Sequence, residues 1–161
     1  MRTTCFKIGD DLMGTVLIVY GSSMGNTESV AETIQDVLEN ADFDVTAQNV
    51  NETSAEDVKN YDYLLVGCST WGDGELWDDF VPFHDELSTI SLQGKKGAVF
   101  GCGDSNYPQF CNAVDIIERT LTRSGMETAI KSLKIDIVKG DVDEQIDTIE
   151  EWAQKLADSL Q

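Results

Sequence analysis

The sequence predicts an α/β protein, with a parallel sheet buried on both faces and helices packed on each side. Three observations carry this. Continuous apolar runs recur at residues 16–20, 63–67 and 97–101, as strands covered on both faces require. Between them, apolar residues fall at helical spacing. Strand and helix alternate five times along the chain, which implies βαβ units with right-handed crossovers.

Each element follows in order. The first strand reads VLIVY, and a turn, GSSMGNT, leads to a helix marked by Val30, Ile34, Val37, Leu38 and Ala41. Residues 43–50 alternate weakly, as suits a strand near a sheet edge. Residues 51–60 form a short polar connection, with a helix as one reading. The strand at 63–67 runs into the loop CSTWGDGELWDD and then a helix carrying Phe80, Phe83 and Leu87. Pro82 is tolerated only in that helix's first turn. The strand at 97–101 leads to the loop CGDSNYPQFC and a helix through Val114, Ile117 and Leu121, stopped by Ser124 and Gly125. Residues 130–138 read as the last strand. Asp141 with Glu144 predicts an acidic capping box, opening a final helix through Ile146, Ile149, Trp152, Ala153, Leu156 and Leu160. The sequence holds no internal repeat and no low-complexity stretch.

A length of 161 residues suits one domain, and a hydrophobic share of 41% supplies one sizeable core. Acidic residues number 30 against 11 basic ones, for a formal net charge of −19. That balance argues against nucleic acid, whose affinity rests on Lys and Arg at phosphates, and against an anionic membrane surface. No segment approaches the ~20 apolar residues that span a bilayer, and the amino terminus lacks the apolar stretch of a secretory signal. Residues 1–14 show no periodicity and are expected to be an extension, either a loose tail or the product of a start placed upstream of Met13, with a functional arm as the lesser alternative. The folded unit is expected over 15–161. Cys5, Cys68, Cys102 and Cys111 form no C-x-x-C pair and His84 is the single histidine, so zinc has little support. Free thiols in a reducing cytoplasm are the expectation. Cys68 and Cys102 stand at strand ends and read as small core residues, and His84 reads as a surface or boundary residue.

In such sheets ligands bind beyond the carboxyl ends of the strands, which singles out the loops at 21–27, 68–77 and 102–111. In the first, backbone N–H groups, the helix dipole and the hydroxyls of Ser22, Ser23 and Thr27 make a phosphate cradle. It lacks the G-K-[ST] ending of a triphosphate loop, and it is not G-x-G-x-x-G. A cradle without a cation suits a terminal monophosphate, though a Ser- and Asn-rich helix cap reads equally well there. In the second, Trp71 stands among polar residues, where a stacked planar ligand, or folding over the core edge, would account for it. Gly72 is free to flip its peptide. In the third, Tyr107 offers a second aromatic face and Gly103 and Asp104 offer N–H groups to ring carbonyls, with an ordinary turn as the alternative. Together the loops fit a phosphorylated planar ring.

Three motifs, VLIVYGSSMGNTE, GCSTWGDGELWDDF and FGCGDSNYPQFCNAVD, closely resemble flavodoxins, especially the short-chain type of sulfate-reducing bacteria. The resemblance covers roughly 15–161. It implies a flavodoxin-like three-layer α/β/α sandwich with a five-stranded parallel sheet of order 2-1-3-4-5, and one non-covalent flavin mononucleotide (FMN). It assigns the phosphate to Ser22, Ser23, Met24, Gly25, Asn26, Thr27 and Ser69, and the ribityl chain to Thr70. Trp71 and Tyr107 flank the ring, and Gly72, Asp73, Cys102, Gly103, Asp104, Gln109, Phe110 and Cys111 lie around its polar edge, chiefly through backbone groups. Met24 departs from the family's usual hydroxyl residue, which costs one side-chain hydrogen bond but keeps the N–H.

The implied function is a low-potential, one-electron carrier with no substrate chemistry, monomeric, docking on redox proteins with basic patches. Gly72 is expected to turn its carbonyl toward the half-reduced ring. Asp73, Asp78, Asp79 and Asp104 are expected to disfavour the extra charge of the fully reduced ring, since one carboxylate ~10 Å away at an effective dielectric of ~20 contributes about 1.7 kcal/mol before screening. A flavin-dependent quinone or NAD(P)H reductase, a flavin-free receiver domain and a domain cut from a diflavin reductase remain as alternatives. The chain shows no insertion for a substrate pocket, no acidic cluster after the first strand and no FAD module.

Overall fold

The computed structural model describes residues 13–21, 25–71, 75–76, 78–106, 108–138 and 140–160. The first strand, β1 (Thr15–Gly21), has β2 (Asp44–Asn49) on one side and β3 (Tyr63–Cys68) on the other, all parallel. Next to β3 lies β6 (Lys96–Gly103), also parallel. Beyond it, two short strands share the edge of β6: β7 (Glu127–Thr128) pairs with its start and β8 (Leu133–Asp136) with its end. Counting the principal strands in chain order, the sheet reads 2-1-3-4-5, as expected.

Alternation along each strand builds two cores. Val16 and Ile18 of β1, Leu65 of β3 and Ala98 and Phe100 of β6 face a layer formed by α1 (Asn26–Asn40) and α4 (Ile146–Leu160). Leu17, Val19, Leu64, Val66 and Val99 face the opposite layer, formed by α2 (Val81–Leu87) and α3 (Asn112–Arg123). Both faces are covered, which is why the strands read as unbroken apolar runs. The polar connection at 51–60 is two 3₁₀ turns, Val50–Glu52 and Ala55–Asn60. Pro82 sits in the first turn of α2, preceded by a 3₁₀ turn at Asp78–Phe80.

Two expectations need correction. The last strand is not continuous over 130–138. It begins earlier, at Glu127, keeps a bond from the Ala129 N–H to the Gly97 carbonyl at 2.7 Å, leaves the sheet at 130–132 and returns at Leu133. Side chains from the flanking helices hold the departure. Trp152 Nε1 on α4 donates to the Lys131 carbonyl at 2.7 Å, and the Ser132 hydroxyl bonds to Glu118 on α3. Ile137 and Val138 lie past the end of β8 and are exposed. The capping box of Asp141 with Glu144 is likewise replaced by a 3₁₀ turn, Val142–Gln145, with no side-chain cap from Asp141. Gln145 instead fixes the entry to α4, its Nε2 donating to the carbonyls of Asp136 and Gly140 at 2.9 Å each.

Candidate functional site

The register of the sheet brings the three loops together. Gly21 lies opposite Cys68, so the first two loops leave from neighbouring positions. β6 runs on to Gly103, opposite Asp136, so the third loop starts further out on the same rim. No Lys, Arg or His stands in 21–27, 68–77 or 102–111, which leaves uncharged donors: backbone N–H groups, hydroxyls, side-chain amides and indole N–H.

At the first loop, Gly25 adopts φ 86° and opens α1 without a side-chain cap. A Cβ on Gly25 would meet nothing within 4 Å, so the space beside the helix start is open. That left-handed backbone is what glycine supplies there. Asn26 is the first residue of α1. Thr27 is fully buried, and its Oγ1 lies 2.9 Å from the Ser69 hydroxyl of the second loop. In such a pair one hydroxyl donates to the other, and the second proton remains for a further acceptor. Ser22, Ser23 and Met24 lie outside the described residues.

The second loop is a small antiparallel ladder. β4 (Thr70–Trp71) pairs with β5 (Glu75–Leu76), matching Thr70 with Leu76 and Trp71 with Glu75. Thr70 Oγ1 accepts from the Ala113 N–H at 3.0 Å, which ties this loop to the start of α3. Just beyond the ladder, Asn51 Nδ2 donates to Asp79 at 3.3 Å and links it to the connection after β2. Gly72 and Asp73 lie outside the described residues, and Trp71 is described by its backbone alone.

In the third loop, Asp104 Oδ1 accepts from the Asn106 N–H at 2.8 Å, closing a local turn. The Ser105 N–H donates to Asp136 Oδ1 at 3.2 Å, and Ile137 N–H donates to the Gly103 carbonyl at 2.9 Å. Gln109 is exposed, and the Phe110 ring packs against the core on the α3 side. Cys102 and Cys111 are buried, so either would meet a ligand through its backbone. Burial pushes the Cys102 thiol up to about 11, against an opposing hydrogen bond from Thr27, and the Cys111 thiol up to about 12. Both stay protonated near neutral pH and are poor nucleophiles. The Cys68 thiol donates to the Ser69 carbonyl at 3.2 Å. Tyr107 lies outside the described residues.

His84 is half-buried on α2, away from the three loops. Its Nε2 lies 2.7 Å from Thr120 Oγ1 on α3. Thr120 already donates to the Ile116 carbonyl, so the ring donates and the histidine is a bridge between helices. Among the described residues no group of His, Cys, Asp or Glu is arranged to hold a metal.

Three supports escaped the sequence reading. Asp136 holds the third loop, the Ala113 N–H holds Thr70, and Asn51 holds Asp79. Only Asp136 left a trace, as a carboxylate inside the last apolar strand. The arrangement offers the Thr27 and Ser69 hydroxyls at one end, and at the other a loop whose Ser105 and Asn106 N–H groups are taken by Asp136 and Asp104.

The chain is similar to known proteins across nearly its whole length. A family model described as Flavodoxin matches residues 18–157. A flavodoxin of Maridesulfovibrio salexigens is 48% identical over 151 residues, covering 92% of this chain and 100% of that protein. One of Nitratidesulfovibrio vulgaris is 41% identical over 151 residues, with 92% and 100% covered. The crystal structure of oxidised Flavodoxin 2 from Bacillus cereus superposes with a TM-score of 0.84 at 41% identity, covering 89% of this chain and 98% of that one.

Proposed function

Because the chain belongs to the flavodoxin family, we infer that it binds one FMN non-covalently and carries electrons between redox proteins, without substrate turnover of its own. The observation that carries this is the meeting of three cation-free loops at one rim, the first two joined through the Thr27 and Ser69 hydroxyls. When bound, the flavin accepts and releases electrons one at a time.

The residues present fit that group. The open first turn of α1, Thr27 and Ser69 supply donors for the 5′-phosphate, with Ser22, Ser23, Met24, Gly25 and Asn26 completing the cradle. Thr70 has its oxygen occupied by the Ala113 N–H and keeps its proton for the ribityl chain. Trp71 and Tyr107 cover the ring, and Gly72, Asp73, Cys102, Gly103, Asp104, Gln109, Phe110 and Cys111 border its polar edge. Residues 1–14 are an extension to the FMN-binding unit of 15–161. Asp78, Asp79 and Asp104 oppose further negative charge on the ring and so lower the second midpoint potential. Partners meet this rim with basic patches, an expectation supported by the net charge of −19. The carrier acts as a monomer in the cytoplasm, a placement supported by the buried thiols of Cys68, Cys102 and Cys111.

The test is a titration of apoprotein with FMN. Retention through a desalting column, quenched flavin emission and no turnover of NADPH with a quinone are expected. Failure to retain FMN, or steady NADPH oxidation by the purified protein, would overturn the reading.

A further inference from the structure

Thr27 and Asp136 are the buried polar or charged side chains among the described residues. Thr27 belongs to the phosphate end. Asp136 stands at the other end, on a strand whose neighbours Leu133 and Ile135 are buried apolar residues. A buried carboxylate is costly unless hydrogen-bonded, so an apolar residue would serve the sheet better. Asp136 lies opposite Gly103, and its Oδ1 accepts from two backbone N–H groups, Ser105 at 3.2 Å and Val138 at 3.0 Å. The Ile137 N–H donates to the Gly103 carbonyl at 2.9 Å, and Gln145 donates to the Asp136 carbonyl at 2.9 Å. One residue thus joins β6, the third loop and the entry to α4.

We propose that Asp136 is a positioning residue that braces the backbone of residues 103–106 for the flavin ring. The proposal rests on the reading that this loop receives the ring. With the Ser105 N–H turned inward onto Asp136, the neighbouring Gly103 and Asp104 amides are held in a fixed direction before any ligand arrives. Two backbone N–H groups converge on this one acceptor oxygen, which suits a loop that is otherwise exposed at Ser105 and Asn106. The brace acts on the ring end and leaves the phosphate end alone.

Two variants separate the brace from general stability. Asp136→Asn keeps an acceptor oxygen, and Asp136→Ala removes it. Each is titrated with FMN, riboflavin and inorganic phosphate while the apoprotein is fully folded by circular dichroism. In Asp136→Ala, FMN and riboflavin affinity should each fall about tenfold with phosphate affinity unchanged, and Asp136→Asn should stay within about threefold of the parent. The Ser105 and Val138 amides should exchange slowly in the parent and in Asp136→Asn, a readout that also decides the matter if Asp136→Ala does not fold. Equal riboflavin affinity in parent and Asp136→Ala, equal losses in both variants, or a fast-exchanging Ser105 amide in the parent would each overturn the brace. If the parent itself does not retain FMN, the proposed function falls instead.

Discussion

Thr27 shows how one side chain links fold and site. It is the second residue of α1, fully buried, and bonded to Ser69 across the rim. Thr27→Val keeps the shape and removes the hydroxyl. FMN affinity should fall about tenfold, a typical cost for a hydrogen bond to a charged group, as read by flavin fluorescence titration. His84 gives a separate expectation. Burial lowers its pKa below 6.5, and nearby Asp85 opposes that only in part. The unfolded chain therefore binds more protons than the native one between the lowered value and 6.5. Stability should rise with pH across that window and be lost as pH falls through it. His84→Gln should flatten this portion of the profile in urea unfolding measured at several pH values, and an unchanged slope would contradict the assignment.

At the scale of elements, the contact between β6 and α3 sets the third loop's starting point. A Cβ on Gly101 would come within 2.6 Å of Val114 Cγ2 and closer still to the Cys68 carbonyl. Gly101→Ala must push α3 or β3 aside, and such overpacking costs about 1–3 kcal/mol, measurable as a lower urea midpoint at unchanged m-value. The unbroken apolar runs that placed β1, β3 and β6 were legible because both faces of those strands are covered. The broken last strand was not legible. Its edge is organised by Trp152 and Ser132, whose partners lie on other elements. An apolar run through Ile137 and Val138 reads as strand whether or not a neighbour exists for it to pair with.

For the whole molecule, a formal charge of −19 makes salt act oppositely on two associations. FMN approaches as an anion toward an acidic protein, so its association rate should rise with ionic strength in stopped-flow quenching. Docking on a basic redox partner should slow over the same range. If both rates move together, long-range charge does not govern the encounters. The cation-free loops were plain in the sequence, as were the residue types that hold an anion without a cation. Their bracing was hidden, since Asp136 to Ser105, Thr70 to Ala113 and Asn51 to Asp79 join residues 28 or more positions apart.

The sequence by itself determined the layered α/β architecture, the strand order through its family likeness, and the three loops of the proposed site, because periodicity and local composition are properties of neighbouring residues. The tertiary structure alone decided where the last strand breaks, which carboxylate goes inside, and how each loop is held. Those outcomes depend on hydrogen bonds between segments that meet only when the sheet has formed, and no local pattern records which partner a backbone amide will find.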